Sequence, residues 1–526
     1  MNNPRFEKAL RFLLYGGMIV VSLLYQLRPF NDPDFFWHLK TGEWIWQHRE
    51  LPAGDPFNFV SPAVEPVGRR FTLTAYWLSQ VSYHLIHDRL GMPGIVVLKL
   101  VVALLFVLAL LKLRRGDPVV HAALVLVVLP LLFCLYPLDR PQAFSFLFFA
   151  VLLARLEKER TAAAAPSGWA SGLVVPILMF AWANMHGGHA IGQVTIALYL
   201  ALEGVKYLHP ALRPAGRERY RRLLVLGVAG LGASFVNPNS WHALQIALVP
   251  APAWVGNTDY LSTVRYFHNM DQPLIFIFWG ALFLTALACL FTVTRPDITR
   301  IALLAGTGYY GFIHVRYVPY FMIAAVPVLG VFLSAERVSR WARQALLAGA
   351  VLLVTYVIWN EFPSRERVGA ALGVNNAYYP VRAADFVIAN DLRGNLYNTY
   401  VWGGYLLWRL APERKVFVDG RGVNAQATFL SGSIALALAQ SVESPMYWKN
   451  ILKQYGIGYL IIPREQTCQG FVFDDTSGLR EALREAPEWV SVFADETALV
   501  FVLNTPEHRA VIARYGTPTE RLLGGG

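Results

Sequence analysis

Stretches of roughly 15–23 mostly apolar residues, close to the length that crosses a hydrocarbon layer, recur from about residue 12 to residue 360. A backbone inside a bilayer must satisfy its own hydrogen bonds, so runs of this kind become helices. The expected spans lie at about 12–27, 93–111, 118–136, 141–154, 169–184, 188–205, 223–237, 273–293, 299–313, 317–334 and 344–360. Only 15% of the 526 residues are charged and 55% are hydrophobic, against about 25% charged in soluble domains. The fold class is a polytopic α-helical membrane protein with about 11 transmembrane helices, followed by a C-terminal extracytoplasmic α/β domain.

The net charge of +11 does not imply nucleic acid, because the basic residues fall in short clusters between apolar runs, as the positive-inside rule requires. Those clusters are Lys112, Arg114 and Arg115; Arg155, Lys158 and Arg160; Lys206 with Arg213, Arg217, Arg219, Arg221 and Arg222; Arg295 and Arg300; and Arg337, Arg340 and Arg343. Every loop expected on the inner side is basic. Arg5, Lys8 and Arg11 precede the first run with no small-residue cleavage site after it, so the start reads as an uncleaved signal anchor with a cytoplasmic N-terminus. The chain is then a multi-pass protein of the cytoplasmic membrane. Cys134 and Cys289 lie in apolar runs and Cys468 far along the chain, which suggests neither a disulfide framework nor a cysteine metal site.

Two domains follow, a transmembrane domain over 1–360 with a long first outer loop at 28–92, and a soluble α/β domain over 361–526. In the outer loop, 35–48 is rich in Trp and reads as a helix lying in the membrane interface, and 71–89 reads similarly. In the last domain 415–418, 459–462 and 500–503 read as buried strands, and 433–441 and 478–485 as helices. The run Ala162–Ala165 reads as a linker.

With this topology the unusual polar groups all fall at outer ends of spans, where ionisable residues are expensive and usually functional. They are Asp32, Asp34 and His38 in the first loop, Asp139 and Arg140 in the second, and Asn184-Met185-His186-Gly187-Gly188-His189 in the third. Asn237-Pro238-Asn239-Ser240-Trp241-His242 opens the fourth, and His314-Val315-Arg316-Tyr317 forms the fifth. Bland readings stand beside these. Asp34 caps the helix that begins at Phe35, Asp55 before Pro56 forms a turn, Asp139 and Arg140 form a local ion pair, and Arg316 anchors its span. His186 and His189 sit in an interfacial turn or hold a metal whose third ligand no spacing specifies.

The motifs Asp32-Pro33-Asp34 with Trp37-His38, Arg140-Pro141-Gln142, Trp182-Ala183-Asn184 with His186, and Gly403-Gly404-Tyr405 followed by Val416-Phe417-Val418-Asp419-Gly420-Arg421 resemble a bacterial branch of the GT-C superfamily of polyprenyl-phosphate-dependent glycosyltransferases. The resemblance implies that Asp34, with Asp32 as its rival, is the catalytic base or orients the acceptor. Asp139 corresponds to the second acidic residue, and in metal-dependent members such carboxylates (here Asp32, Asp34 and Asp139) hold Mg²⁺ or Mn²⁺. Trp402, Tyr405, Asp419 and Arg421 are faintly similar to the Trp-Trp-Asp-Tyr-Gly region of oligosaccharyltransferase catalytic subunits and are expected on the acceptor side. A glycine, Gly403 or Gly404, stands where that region has its aspartate, which argues against asparagine-linked transfer. The plain reading of 402–405 is a strand–turn–strand with glycines for tight geometry.

The sequence therefore points to transfer of a sugar from a lipid-linked donor to a protein, lipid or glycan acceptor at the outer membrane face. His38, Arg140, His186, His189, His314 and Arg316 are the candidates for substrate and lipid phosphate, and Arg can grip a phosphate bidentately. Two other classes fit a membrane protein of this kind. A transporter of lipid-linked sugar would place charges near the midplane and often shows repeats, neither of which is visible here. A scaffold for envelope glycan assembly would tolerate loss of Asp34.

Overall fold

The computed structural model describes residues 4–60, 67–136, 138–161, 170–209, 217–242, 258–291, 297–335, 338, 340–362, 364–437, 447–465 and 475–517. The helices in chain order are α1 (Pro4–Gln26), α2 (Phe35–His48), α3 (Val67–Thr74), α4 (Trp77–Lys112), α5 (Pro118–Leu135), α6 (Gln142–Thr161) and α7 (Ala170–Met185). Then come α8 (His189–Leu208), α9 (Arg217–Ser234), α10 (Thr263–Met270), α11 (Ile275–Phe291), α12 (Ile298–Ile313), α13 (Val318–Ser334) and α14 (Arg340–Glu361). The remainder is α15 (Arg365–Ala371), α16 (Val381–Ala389), β1 (Asn395–Asn398), α17 (Tyr400–Leu410), α18 (Ala425–Ala435), α19 (Tyr447–Gln454), β2 (Ile457–Pro463), α20 (Ser477–Arg484), β3 (Trp489–Ala494), β4 (Ala498–Leu503) and α21 (Arg509–Tyr515).

The chain divides into two compact units. One joins Met1–Arg28 to Gly94–Val368, and the other joins Pro29–Pro93 to Gly369–Gly526. The long first loop is thus one body with the C-terminal domain. α4 breaks at Gly91, whose φ of 62° and ψ of −160° lie outside helical space and are open to glycine at little cost.

The first unit is a helical bundle. Among the described residues a helix lies over most of each span expected from sequence, with α9 ending at Ser234 and not at 237, and five helices are long and apolar enough to cross a membrane. The chain is a multi-pass membrane protein, and its count of eleven crossings stays an expectation. α5 is its axis, packed by α1, α13 and α14 and buried along nearly its whole length. α14 is the opposite case. Only Ala350 and Val357 are buried, while Leu352 and Trp359 are 70% and 85% exposed. An apolar helix that shows this much side chain outside the protein belongs in lipid.

At the end of the bundle that holds the basic loops, buried acids gather the arginines. Glu157 accepts from Arg160 Nε at 2.6 Å, Arg300 Nη2 at 2.7 Å, Arg115 Nη2 at 2.8 Å and Tyr199 OH at 2.8 Å. Arg160 also reaches Glu203 at 3.1 Å and Asp297 at 2.7 Å, and Lys206 donates to those same two carboxylates at 2.6 Å each. This network staples α6, α8, the start of α12 and the α4–α5 connection.

The second unit is built on a four-stranded sheet of order β1-β2-β4-β3, with β1 parallel to β2 and the other pairs antiparallel. All seven residues of β2 are buried, as a strand covered on both faces requires. Tyr397, Phe417, Trp448, Leu460, Ile462 and Phe501 anchor the core. Strands form at 459–462 and 500–503 as expected. Residues 415–418 do not form one: Val416 makes a single bridge to Asn58, and Asn58 Nδ2 donates to Phe417 O at 2.8 Å. The helix expected at 433–441 instead begins at Ala425, where Asn424 caps it by accepting from Gln426 N and Ala427 N, and its expected end lies outside the described residues.

α2 has the bounds expected of it but not the setting. Phe35 to Gly42 and Ile45 are buried, so it is a core helix of this unit and not an interfacial one. It packs on α17, with the Phe36 ring 4.9 Å from Tyr379, 5.2 Å from Tyr405 and 5.0 Å from Trp408. Residues 402–405 likewise lie in helix α17 and not in a strand–turn–strand. Their glycines serve close approach: a Cβ on Gly403 would stand 2.1 Å from Val418 O, and one on Gly404 2.2 Å from Pro33 O.

Candidate active site

In the second unit three of the sequence motifs converge. Residues 32–38 enter α2, 402–405 sit in α17, and 416–421 form an irregular segment that bends at Phe417 and turns at Gly420–Arg421. The Asp34 carboxylate lies between them, half-buried. It does not cap its own helix; no capping hydrogen bond forms and its backbone is already helical, at φ −88° and ψ −19°. Instead Oδ1 accepts the indole N–H of Trp37 at 3.0 Å and faces Gly420, where a Cβ would stand 2.2 Å away. Asp32 supports it from the N-terminal side, its Oδ1 accepting the Asp34 backbone N–H at 2.9 Å. The Asp32 carbonyl in turn accepts from Tyr379 OH at 3.0 Å.

Trp37 is held by its neighbours. Its ring centroid is 3.5 Å from that of His38, and Tyr76 stands edge-on to both. His38 is 2% exposed, with Nδ1 3.3 Å from Gln80 Nε2, so it braces Trp37 from inside.

The four residues expected on the acceptor side are buried. Trp402 and Tyr405 are 0% and 1% exposed; Trp402 Nε1 donates to Tyr378 O at 2.9 Å, and Tyr405 stacks on Tyr379. Arg421 is clamped by two acids. It donates to Asp419 at 2.7 and 2.6 Å and to Asp55 at 2.9 Å through each of Nη1 and Nη2. Burial alone would lower the guanidinium pKa, but Asp419 and Asp55 outweigh it and hold it above its ordinary value. Large rings and paired charges at this depth serve packing. Asp55 is more than a turn former, for it closes the triad.

In the first unit the remaining candidates gather at the end opposite the Glu157 network. Val315–Tyr317 forms a single 3₁₀ turn bound to residues 258–261: Val315 N donates to Leu261 O at 2.8 Å, and His314 Nδ1 donates to Tyr260 O at 2.8 Å. The Arg316 guanidinium sits 4.7 Å over the Tyr260 ring and 5.8 Å from that of Tyr317. Arg140 Nη2 lies 3.8 Å from Asp259, so the local Asp139–Arg140 ion pair is replaced by two longer-range ones. Asp139 contacts Lys99 Nζ, both side chains being 2% exposed.

His186 and His189 fill the α7–α8 turn. The backbone N–H of Gly188 donates to His186 Nδ1 at 2.9 Å, with Ser145 Oγ 2.6 Å from the same nitrogen. Trp182 Nε1 fixes that hydroxyl at 2.6 Å. Burial first, then the charges of Arg316 and Arg140, push the His186 imidazole well below its ordinary pKa. His186 is therefore a neutral hydrogen-bonding group beside two guanidiniums. His189 Nδ1 donates to His186 O at 3.3 Å, which leaves Nε2 an acceptor. A phosphate asks for donors, so His189 does not suit one.

Sequence reasoning missed Lys99, Asp259 and Tyr260, and took Asp55 for a turn. Lys99 has a signal, a lone charge in an apolar run. Asp259 and Tyr260 have none, because only the fold brings them to Arg140 and Arg316.

No family model matches the sequence, and no curated protein matches it. Solved structures do. The apo oligosaccharyltransferase of Archaeoglobus fulgidus aligns over 94% of this chain and 74% of its own at 12% identity and a TM-score of 0.52. The oligosaccharyltransferase AglB of that organism, in complex with an inhibitory peptide and a dolichol-phosphate, aligns over 93% and 74% at 11% identity and a TM-score of 0.56. ArnT from Cupriavidus metallidurans bound to undecaprenyl phosphate covers 94% and 98% at 13% identity and a TM-score of 0.48. The chain is thus a multi-pass membrane protein that shares its fold with the two archaeal oligosaccharyltransferase structures.

Proposed function

We propose that this protein is an integral-membrane glycosyltransferase. It moves a sugar or oligosaccharide from a polyprenyl-phosphate-type donor to an acceptor at the outer face of the cytoplasmic membrane. The observation that carries this reading is Asp34, a half-buried carboxylate fixed by Trp37 and Gly420 where three motifs meet. The fold shared with AglB, which was captured with a dolichol-phosphate and a peptide, agrees with it.

Asp34 accepts the proton of the acceptor hydroxyl, or orients it, as that oxygen attacks the anomeric carbon. The phosphate leaves in the same displacement, so the carbon inverts. Within the first unit, Arg316 and Arg140, beside neutral His186, have the chemistry to hold a phosphate. An apolar groove of about 490 Å³, lined by Val127, Pro273, Leu274, Ile277, Leu353 and Tyr356, has the chemistry for an isoprenoid chain.

The test is mass spectrometry of secreted and envelope glycoconjugates from cells with the wild-type protein, the Asp34→Asn variant, or neither. Loss of one glycan mass in both deficient lines, with lipid-linked sugar accumulating, is expected. An unchanged glycan with normally expressed Asp34→Asn sinks Asp34 as base.

A further inference from the structure

Lys99 is the one ionisable residue between Leu90 and Leu111. A lone charge in such a run is costly and is kept where it has a task. Its partner is Asp139, at an equal burial of 2% exposure. The resemblance makes Asp139 a ligand for Mg²⁺ or Mn²⁺, but the structure gives it another cation.

A hard divalent ion sits about 2.0–2.6 Å from its carboxylate oxygens and gathers several of them. At Asp139 it would stand beside a fixed ammonium that already contacts Oδ1, exchanging the attraction of a pair for repulsion between like charges. Asp139 therefore does not fit the implied metal. We propose that Lys99 is the built-in cation of Asp139, holding by a covalent tether the position a divalent ion would need and keeping such ions away from this carboxylate. The proposal deepens the transferase reading, but its test reads metal binding alone and stands even if no transfer is found.

The experiment titrates Mn²⁺ into full-length protein in detergent and follows the free ion by electron paramagnetic resonance. Wild type is compared with the doubly neutral variant Lys99→Met/Asp139→Leu, because removing both members of a buried pair is tolerated far better than removing one. The two isotherms are expected to superimpose. Wild type binding Mn²⁺ tenfold or more tightly than the double variant overturns the proposal. The single variant Lys99→Met, where it elutes as a folded monodisperse species, is expected to bind Mn²⁺ at least tenfold more tightly than wild type. A folded Lys99→Met that gains nothing also overturns it. If the single variant does not fold, the wild-type and double-variant pair decides.

Discussion

Gly420 lies against Asp34 so closely that a methyl group added to it would stand 2.2 Å from Oδ1. The glycine of the 416–421 segment is therefore the wall that sets where the carboxylate rests. Gly420→Ala is expected to push Asp34 off its Trp37 hydrogen bond by roughly an ångström, and a displacement of that size costs about 100-fold in rate. The variant should express and unfold like wild type while product formation in a membrane assay collapses. Near-normal transfer by Gly420→Ala would remove this wall from the account.

Arg421 predicts the reverse pattern, lost stability before lost chemistry. Its guanidinium is 1% exposed between Asp55 and Asp419, and Arg421→Ala leaves both carboxylates buried without it. Breaking a buried pair in this way costs about 3–5 kcal/mol. Thermal unfolding and proteolysis of the purified protein should show a clear loss. Neutralising the whole triad, as Arg421→Met with Asp55→Asn and Asp419→Asn, should recover much of it. Equal damage from the single and triple changes would mean that charge balance is not what the triad supplies.

These two cases show what the sequence could and could not carry. Helices over the apolar runs and the bounds of α2 were legible because hydropathy and period act locally. The glycines were misread: 402–405 looked like a turn, since a sequence does not say which backbone oxygen will approach. The distant partners Asp55 with Arg421, Lys99 with Asp139 and Asp259 with Arg140 were out of reach for the same reason. Each joins segments whose meeting is a property of the packing.

The Glu157 network gives the protein an acid limit. Burial raises the Glu157 pKa, but Arg160 and Arg300 outweigh it and bring the group from 4.5 down to about 2. A carboxylate with a folded pKa below its unfolded one stabilises fully above the unfolded value, and that contribution is lost as pH falls from about 4.5 towards 2. The apparent melting temperature in detergent should hold from pH 7 to 5 and drop steeply below 4.5. Glu157→Gln should start lower and show a shallower acid fall. A Glu157→Gln profile parallel to wild type would assign the acid limit to other carboxylates.

The proposed function assigns Arg316 to the lipid donor and Asp34 to the acceptor, and kinetics can separate the two. Its guanidinium carbon stands over the Tyr260 ring, 4.7 Å from the centroid, a cation–π contact in which a planar fork and a compact ammonium are not interchangeable. Arg316→Lys keeps the charge and loses the planar fork and its bidentate grip on a phosphate. Tyr260→Leu removes the contact from the other side, leaving the arginine in place. If the pair grips the lipid phosphate, both variants raise KM for the lipid donor, by about 10-fold for a loss near 1.4 kcal/mol. On the same proposal neither changes KM for the acceptor, whose hydroxyl it assigns to Asp34. Asp34→Asn gives the complementary split, with kcat abolished and donor binding retained. Steady-state kinetics with each substrate varied in turn reads both halves, and an acceptor KM that rises with Arg316→Lys would move this arginine to the acceptor side.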